Sequence, residues 1–284
     1  MIYTTLIKPA ELETHIGDPD WVIVDCRFDL MKPDWGFSAY QMAHIPGSIY
    51  AHMDHDLSGP RTAVSGRHPL PDVDQFTDLL SRWGIDSTKQ VIVLDTSAGA
   101  YSVRLWWMLK HLGHPAAAVL DGGFPAWAKE IHRVNSGVEE NSFVKCDLGG
   151  GFDGMMTTTQ VQEILFNPDW CLIDARSPER FHGEQESIDP IAGHIPGATN
   201  YPYTANLSSK GCMLPAGELR SQFMTLLGGI PPEQTVVYCG SGVSSCFHLL
   251  AMEIAGLPGA KLYAGSWSEW IRDPNRPIIT GNKS

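Results

Sequence analysis

The chain of 284 residues contains one pattern written twice, and this repeat constrains the fold more than any other feature. Four landmarks of the first copy return in the second in the same order, at offsets between 142 and 150 residues. They are WVIVDCR (21–27) with WCLIDAR (170–176), AHIPGSIY (43–50) with GHIPGATNY (193–201), QVIVLD (90–95) with QTVVYC (234–239), and AVLDGGFPAW (118–127) with AKLYAGSWSEW (260–270). A repeat of this kind indicates tandem copies of one domain.

Each copy alternates short apolar, β-branched runs with segments of helical spacing. This alternation predicts an α/β fold in which a mainly parallel sheet is flanked by helices. A chain of this length also suits two cores of about 100 to 150 residues. We predict a non-catalytic N-terminal domain over residues 1–133, a linker over 134–156 that contains the flexible LGGGFDG, and a C-terminal catalytic domain over 157–284.

The overall charge excludes some classes of partner. With 20 Lys and Arg against 32 Asp and Glu, the formal net charge is -12, which repels nucleic acids and anionic membranes. The N-terminal stretch has no pattern of a secretory leader, and no apolar run reaches the length that spans a bilayer. We therefore expect a soluble cytoplasmic protein.

Cys239 lies between a β-branched run and a helical pattern in TVVYCGSGVSSCFHLLAMEIAG (235–256). Gly240 and Gly242 allow the loop to curl so that backbone N–H groups face its centre, and the N-terminus of the following helix adds partial positive charge. Both effects favour a thiolate, which is the reactive form, and the same loop suits a persulfide anion. Alternatively, Cys239 is a buried strand-end thiol. The loop and the repeat together favour a nucleophile.

The first copy carries Asp95 at the position equivalent to Cys239. A carboxylate cannot become a persulfide, so the first copy cannot perform the same chemistry. We predict that one domain is catalytic and that the other supports it.

The paired HIPG turns, the CGSGVSS loop and the closing GSWSEW resemble the tandem-domain rhodanese family over nearly the whole chain. The resemblance implies a sulfurtransferase in which Cys239 takes up sulfur as a persulfide and passes it to a thiol, cyanide or a protein acceptor, without a metal or organic cofactor. Within that family the CGSG loop resembles the 3-mercaptopyruvate sulfurtransferase branch, whereas the thiosulfate branch places basic residues after the cysteine. Thiosulfate is a compact dianion that benefits from such cations. The neutral loop favours mercaptopyruvate as the donor, with thiosulfate as the alternative.

The same resemblance implies a substrate site. Arg180 in ARSPERFHG would bind the substrate carboxylate with its planar fork, and Gly240, Gly242, Val243 and Ser244 would line the site. Otherwise Arg180 is a solvated surface residue. Mercaptopyruvate-type relatives usually carry a second arginine before the HIPG turn, but GEQESIDPIAGHIPG contains none, which favours thiosulfate.

The family has also been given a serine–histidine–aspartate relay, and the matching residues are Ser241, His68 in GRHPLP, and Asp54. His68 and Asp54 would come from the first copy, and a general acid there could protonate a departing enolate. Otherwise His68 is a loop histidine before two prolines, and Asp54 is a turn carboxylate.

Other interpretations are weaker. His52 and His55 beside Asp54 and Asp56 lack a further ligand cluster, so we predict no metal. A phosphatase of the Cys-x5-Arg type needs an arginine six residues after the cysteine, where this chain has Ser245. A module that only relays sulfur from a partner protein remains an alternative to the enzyme.

Two Asp-x-Arg pairs recur in both copies, Asp25 with Arg27 and Asp174 with Arg176. Recurrence in both copies indicates a shared structural role, such as tying a strand end to nearby backbone.

Overall fold

The computed structural model describes residues 2–131 and 133–281, which divide into two compact units. The first unit comprises Met1–Gly59, Leu70–Asp153 and Ser209–Cys212, and the second comprises Pro60–Pro69, Gly154–Ser208 and Met213–Ser284. Residues 60–69, which we call the 60–69 segment, therefore lie in the first sequence copy but pack with the second unit. Tertiary contacts, rather than sequence order, decide where such a segment belongs.

The first unit is a five-stranded parallel sheet flanked by helices, with strand order β1-β5-β4-β2-β3. Its strands are β1 (Leu6–Ile7), β2 (Trp21–Asp25), β3 (Ser48–Tyr50), β4 (Gln90–Leu94) and β5 (Ala117–Leu120). Its helices are α1 (Pro9–Glu13), α2 (Trp35–Met42), α3 (Val73–Arg82), α4 (Ser102–His111) and α5 (Gly123–Glu130).

The second unit is a four-stranded parallel sheet with strand order β7-β6-β8-β9. Its strands are β6 (Cys171–Asp174), β7 (Ala198–Asn200), β8 (Thr235–Tyr238) and β9 (Lys261–Leu262). Its α-helices are α6 (Thr158–Glu163), α7 (Pro178–His182), α8 (Ala216–Leu227), α9 (Cys246–Ile254) and α10 (Ser266–Trp270), and short 3-10 turns span Tyr203–Asn206 and Pro232–Gln234.

The central strands explain why the sequence folds in this way. Every residue of β4 (QVIVL) and of β8 (TVVY) is buried. Strands that are covered by helices on both faces of a parallel sheet read as continuous apolar runs rather than as alternating ones. The predicted α/β class, with two domains that each hold a parallel sheet between helices, is confirmed.

Each unit has its own apolar core against one face of its sheet. In the first unit Trp127 of α5 is buried with Ile92 and Leu120, and in the second unit Trp270 of α10 is buried with Val236. Full burial of one large apolar side chain stabilises the fold by about 2 to 3 kcal/mol. The recurring tryptophans therefore hold the helix that follows the last strand of each sheet.

The recurring Asp-x-Arg pairs have the predicted structural role. In the second unit the Arg176 guanidinium donates to the Asp174 carboxylate and to the carbonyl of Gly193, at 2.6 and 2.7 Å. In the first unit the Arg27 guanidinium binds Asp25 and donates to the carbonyl of Ala43 at 2.6 Å. Both carbonyls precede a HIPG turn, so each pair ties the end of a central strand to that turn.

Among the described residues, no helix is both long and apolar enough to cross a membrane. The same residues contain no group of three or more His, Cys, Asp or Glu side chains arranged to hold a metal ion.

Candidate active site

Cys239 directly follows β8 at the carboxyl edge of the second sheet and begins a loop, residues 239–245, that leads into α9. Its N–H donates to Ser266 Oγ at 3.1 Å, and its carbonyl accepts from the N–H of Trp267 at 3.1 Å. The carbonyl of Gly240 accepts from the N–H of Ser268 at 2.9 Å. The first turn of α10 therefore holds the backbone of the Cys239 loop in place.

The two glycines of this loop serve different purposes. Gly242 has a φ of +74°, and a Cβ there would meet the backbone of Ala264, so close packing requires glycine. A Cβ on Gly240 would instead lie 2.9 Å from Nη2 of Arg67 and 3.5 Å from Nη1 of Arg180. A side chain at position 240 would therefore press against two guanidinium groups.

The environment of the Cys239 side chain favours its charged form. Burial alone raises the pKa of the thiol, but the nearby polar groups of Ser244, Ser245 and Ser241 outweigh it, so the pKa is lowered from its ordinary value. Donors that point at a thiolate stabilise the anion relative to the neutral thiol. This agrees with the anion-holding loop that the sequence predicts.

The other cysteines do not share this environment. The thiols of Cys26, Cys146, Cys171 and Cys212 all have a raised pKa, and burial is the main cause in each case; that of Cys171 is about 11. Cys246, seven residues after Cys239, is fully buried and its thiol donates to the carbonyl of Gly242 at 3.5 Å. Burial without sufficient donors makes a structural cysteine inert, and Cys239 differs in its donors.

The structure brings two predicted relay residues together. His68 Nδ1 lies 2.7 Å from Ser241 Oγ, and both side chains are buried, at 3% and 6% exposure. Both belong to the second unit, because His68 lies in the 60–69 segment. Asp54 lies in the first unit, where it is half-buried and its N–H donates to His52 Nδ1 at 3.1 Å. Its membership of the relay stays a prediction.

Arg180 lies on the short helix α7, which begins with Pro178 and ends at Gly183 in the left-handed conformation. Its Nε donates to the Glu186 carboxylate at 2.9 and 3.1 Å, and its Nη2 donates to Asp189 Oδ2 at 2.9 Å. Burial raises the pKa of the Glu186 carboxyl, but hydrogen bonds from Arg180 and from loop backbone outweigh it and lower that pKa. The Arg180 guanidinium is therefore held by two carboxylates rather than solvated, and its binding of substrate stays a prediction.

The remaining predicted loop residues lie where the sequence places them. Val243 is buried, and its carbonyl accepts from the N–H of Cys246 at 3.1 Å, which begins α9. The Ser244 side chain contributes to the lowered pKa of the Cys239 thiol. Val243 thus has a packing role in the loop, while Ser244 favours the charged form of Cys239.

Sequence reasoning missed Arg67. Its Nη1 donates to Asp189 Oδ1 at 2.5 Å, so Asp189 binds Arg67 and Arg180 at once. The resemblance implies a second arginine before the second HIPG turn, whereas Arg67 lies far upstream. One signal was available, because Arg67 directly precedes His68, which the sequence does place in the site.

The first unit has a comparable loop, formed by residues 95–102 after β4. The Asp95 carboxylate is fully buried and accepts four backbone hydrogen bonds, at 2.7 to 2.9 Å, from Ser97, Gly99, Tyr101 and Ser102. This loop therefore also surrounds an anion, but the anion is its own side chain.

The chain matches the rhodanese-like domain twice, over residues 8–130 and 157–273. It is 43% identical over 281 residues to a Pseudomonas aeruginosa protein named "Probable 3-mercaptopyruvate sulfurtransferase", covering 98% of each chain. It is 38% identical over 284 residues to a Mycobacterium tuberculosis protein provisionally named thiosulfate sulfurtransferase SseB, covering 97% of each. The solved 3-mercaptopyruvate sulfurtransferase from Leishmania major superposes with a TM-score of 0.84 at 32% identity, over 94% of this chain and 74% of that one.

The chain belongs to the rhodanese family, in its two-domain form. It is an enzyme of the sulfurtransferase class. These two findings confirm the predicted family and the predicted class of reaction.

Proposed function

We propose that this sulfurtransferase takes sulfur from 3-mercaptopyruvate onto Cys239 as a persulfide and delivers it to a thiol, cyanide or a protein acceptor. One observation carries the proposal: the cysteine whose pKa is lowered lies beside a glycine that faces the guanidinium of Arg180. The residue next to the nucleophile thus faces a group that binds carboxylates. The name of the Pseudomonas aeruginosa relative supports the same donor.

In the first half-reaction, the Cys239 thiolate attacks the sulfur of mercaptopyruvate. A sulfur–sulfur bond forms from the cysteine electron pair, and the carbon–sulfur bond breaks with its electrons going to carbon. The products are the Cys239 persulfide and the enolate of pyruvate, which takes up one proton to become pyruvate. Arg180 would hold the donor's carboxylate while the N–H and O–H groups of the Cys239 loop stabilise the persulfide anion.

The proton for the enolate would come from the pair formed by Ser241 and His68. Their 2.7 Å separation allows a proton to pass between them, and Ser241 is two residues from the nucleophile. Asp54 would complete the relay, as the sequence predicts. In the second half-reaction an acceptor nucleophile attacks the outer sulfur, and Cys239 leaves as a thiolate.

Thiosulfate is the second candidate donor. The loop after Cys239 is neutral, but Arg67 and Arg180 supply cations from other segments. The Mycobacterium tuberculosis relative is named as a putative thiosulfate sulfurtransferase. Attack on the outer sulfur of thiosulfate would form the same persulfide and release sulfite. The preferred donor is therefore decided by comparing the rates of sulfur transfer from mercaptopyruvate and from thiosulfate.

The test is steady-state sulfur transfer by the wild type and by Cys239→Ala with each donor and one common acceptor, compared as kcat/KM. We expect mercaptopyruvate to be preferred and the variant to be inactive with both donors. A preference for thiosulfate would overturn the donor assignment. An active Cys239→Ala variant would overturn the nucleophile, and no turnover of either donor by the wild type would favour the sulfur-relay module. Cell fractionation would test the predicted cytoplasmic location.

A further inference from the structure

The first unit has a cavity of about 420 Å³ at the amino edge of its sheet, and we call it the amino-edge cavity. Trp21 begins β2 and Lys89 directly precedes β4, so this cavity lies at the end of the sheet opposite to the loop of residues 95–102. Cavities of this size are typical of sites that bind small molecules. The lining of the cavity includes His15, Gly17, Asp18, Trp21, Lys89 and Asn141.

The second unit has a smaller cavity, of about 210 Å³, at the equivalent place. The sequence GDPDW (17–21) at the first cavity returns as FNPDW (166–170) at the second. The two turns have the same backbone form. The φ angle is +85° at Gly17 and +62° at Phe166, and the next N–H in each turn donates to the carbonyl three residues earlier. The repeat therefore explains why both units have a cavity here, and the differences between the copies show what is particular to the first.

The walls of the two cavities differ in two respects. Gly17 has no side chain at the position where the second copy has Phe166, which lines its own cavity. Residues 141–144 add a wall to the first cavity, and the N–H of Val144 fixes this wall by donating to the carbonyl of Ser81 at 3.0 Å. Among the described residues, no such segment lines the second cavity. The first copy therefore has more room at this place.

Two side chains of the first cavity are more polar than their equivalents. Asp18 stands where the second copy has Asn167, and His15 stands where it has Ile164. The His15 ring stacks on the Trp21 ring, with 3.8 Å between the ring centroids and 9° between the ring planes. This stacked pair gives the cavity a flat aromatic wall.

The charges of the lining favour a cation. Lys89 Nζ donates to the carbonyl of Pro19 at 3.0 Å and to Asp20 Oδ1 at 3.3 Å, so Asp20 compensates the charge of the ammonium group. Asp18 Oδ2 lies 3.6 Å from His15 Nδ1, and among the described residues Asp18 pairs with no lysine or arginine. With histidine neutral at pH 7, one negative charge of the lining is uncompensated.

An amidinium or guanidinium group matches this arrangement. Such a group is planar and presents two parallel N–H donors, which is the geometry that a carboxylate accepts. Its flat face also stacks on aromatic rings. A ligand that joins a planar cation to a ring therefore satisfies Asp18 and the aromatic wall at once.

We propose that the amino-edge cavity is a binding site for a small planar organic cation, whose charge is bound by Asp18 and whose flat face packs on the His15–Trp21 pair. Gly17 provides the room for this ligand. Every lining residue belongs to the first unit, so the copy that lacks a nucleophile has a binding site of its own. The identity of the sulfur donor has no bearing on this site.

The experiment uses three probes of one shape and different charge. Benzamidine is a planar cation at neutral pH, benzamide is neutral, and benzoate is an anion. Each is titrated into the full chain at about pH 8, where histidine is neutral, and heteronuclear NMR follows the backbone N–H of Gly17 and the indole N–H of Trp21. We expect benzamidine to bind at least about tenfold more tightly than benzamide, because its hydrogen bonds to Asp18 are charge-assisted, and benzoate not to bind.

One variant tests the room in the cavity with the residue of the second copy. Gly17→Phe should abolish the binding of benzamidine, because the new side chain occupies the space that Gly17 leaves. Gly113→Phe is the matched control and should bind benzamidine as the wild type does. Gly113 also has a positive φ, of +92°, and a Cβ there would likewise meet no atom within 4 Å, but Gly113 does not line the cavity.

A second variant tests the charge. Asp18→Asn should weaken the binding of benzamidine by about tenfold and leave that of benzamide unchanged, because it removes the charge and keeps the shape. The variant should fold, since Asn167 accepts the same hydrogen bond from the N–H two residues on, at 3.0 Å. Asp29→Asn is the matched control, because Asp29 accepts an equivalent N–H at 2.8 Å outside the cavity, and it should keep the wild-type affinities.

The site is overturned if none of the three probes shifts the two NMR signals, or if benzamide or benzoate binds as tightly as benzamidine. Binding of benzamidine by Gly17→Phe with the wild-type affinity would also overturn it. If Gly17→Phe fails to fold, Asp18→Asn decides the question, and an unchanged preference for benzamidine over benzamide in that variant would contradict the role of Asp18.

Discussion

Two loops of the molecule differ in the anion that each can hold. One comprises residues 95–102 after β4, and the other comprises residues 239–245 after β8. In the first, the Asp95 carboxylate accepts four backbone N–H groups. In the second, the polar groups of Ser244, Ser245 and Ser241 lower the pKa of the Cys239 thiol and so favour the thiolate. A loop whose polar groups face its centre favours an anion there, and both copies place an ionisable side chain at that position.

The difference between these loops separates a structural role from a chemical one. A carboxylate accepts the hydrogen bonds of the loop permanently and cannot become a persulfide, so the anion of the first loop has only a structural role. A thiolate satisfies the same kind of donors and can also accept and release a sulfur atom. We infer that one architecture for holding an anion supports stability in the first unit and catalysis in the second.

The largest expected effect comes from giving the second loop the residue of the first. Cys239→Asp should lower sulfur transfer by about 1,000-fold or more, because no nucleophile remains, while the loop donors still find an anion. Donor kinetics measure the loss of activity. Urea unfolding of the same preparation checks that the free energy of unfolding is little changed. Cys212→Ser is the control and should remain active, since Cys212 belongs to the first unit. Activity near the wild-type level in Cys239→Asp would contradict the assignment of Cys239 as the nucleophile.

The next prediction concerns the acid that we assign to the second loop. His68→Asn should lower kcat with mercaptopyruvate by about 100-fold, because the enolate leaving group needs a proton. With thiosulfate the loss should be much smaller, since sulfite leaves as a stable anion. Equal losses with the two donors would show that His68 positions the loop instead of delivering a proton.

The third prediction tests the structural role of the first loop. Asp95→Ala should lower the free energy of unfolding by about 3 kcal/mol, because it leaves buried N–H groups without an acceptor. Asp72→Ala removes the carboxylate that accepts two N–H groups at the exposed start of α3, and should cost only about 1 kcal/mol. Urea unfolding compares the two variants. A loss for Asp95→Ala no larger than that for Asp72→Ala would contradict the assignment.

The smallest effect should come from one donor of the second loop. Ser244→Ala removes a hydroxyl that stabilises the thiolate, so the pKa of Cys239 rises and less thiolate is present near neutral pH. We expect the iodoacetamide rate at pH 7 to fall by about fivefold and its midpoint to move to higher pH. Ser187→Ala, at an exposed position, is the control. A midpoint that stays fixed would remove Ser244 from the anion-holding donors.

Much of the fold follows from local patterns in the sequence. The apolar runs of β4 and β8, the Asp-x-Arg pairs such as Asp174 with Arg176, and the glycine loop after Cys239 depend on residues that are close in the chain. Short-range periodicity and turn chemistry therefore predict them.

The site is less predictable because its parts come from distant segments. His68 and Ser241 are 173 positions apart, and only the resemblance to a known family connects them in the sequence. Arg67 reaches Asp189 across 122 positions, and no local pattern marks such a contact. The packing of the 60–69 segment with the second unit, which brings both side chains to the Cys239 loop, is a tertiary property.

The central claim is that the two loops hold different anions for different purposes, and that only the one at Cys239 carries sulfur. The most direct measurement is intact and peptide mass spectrometry after a single exposure to mercaptopyruvate without an acceptor. We predict the added mass of one sulfur atom, located on Cys239 and removed by cyanide with formation of thiocyanate. Added sulfur on another cysteine, or turnover without any sulfur bound to Cys239, would contradict the account.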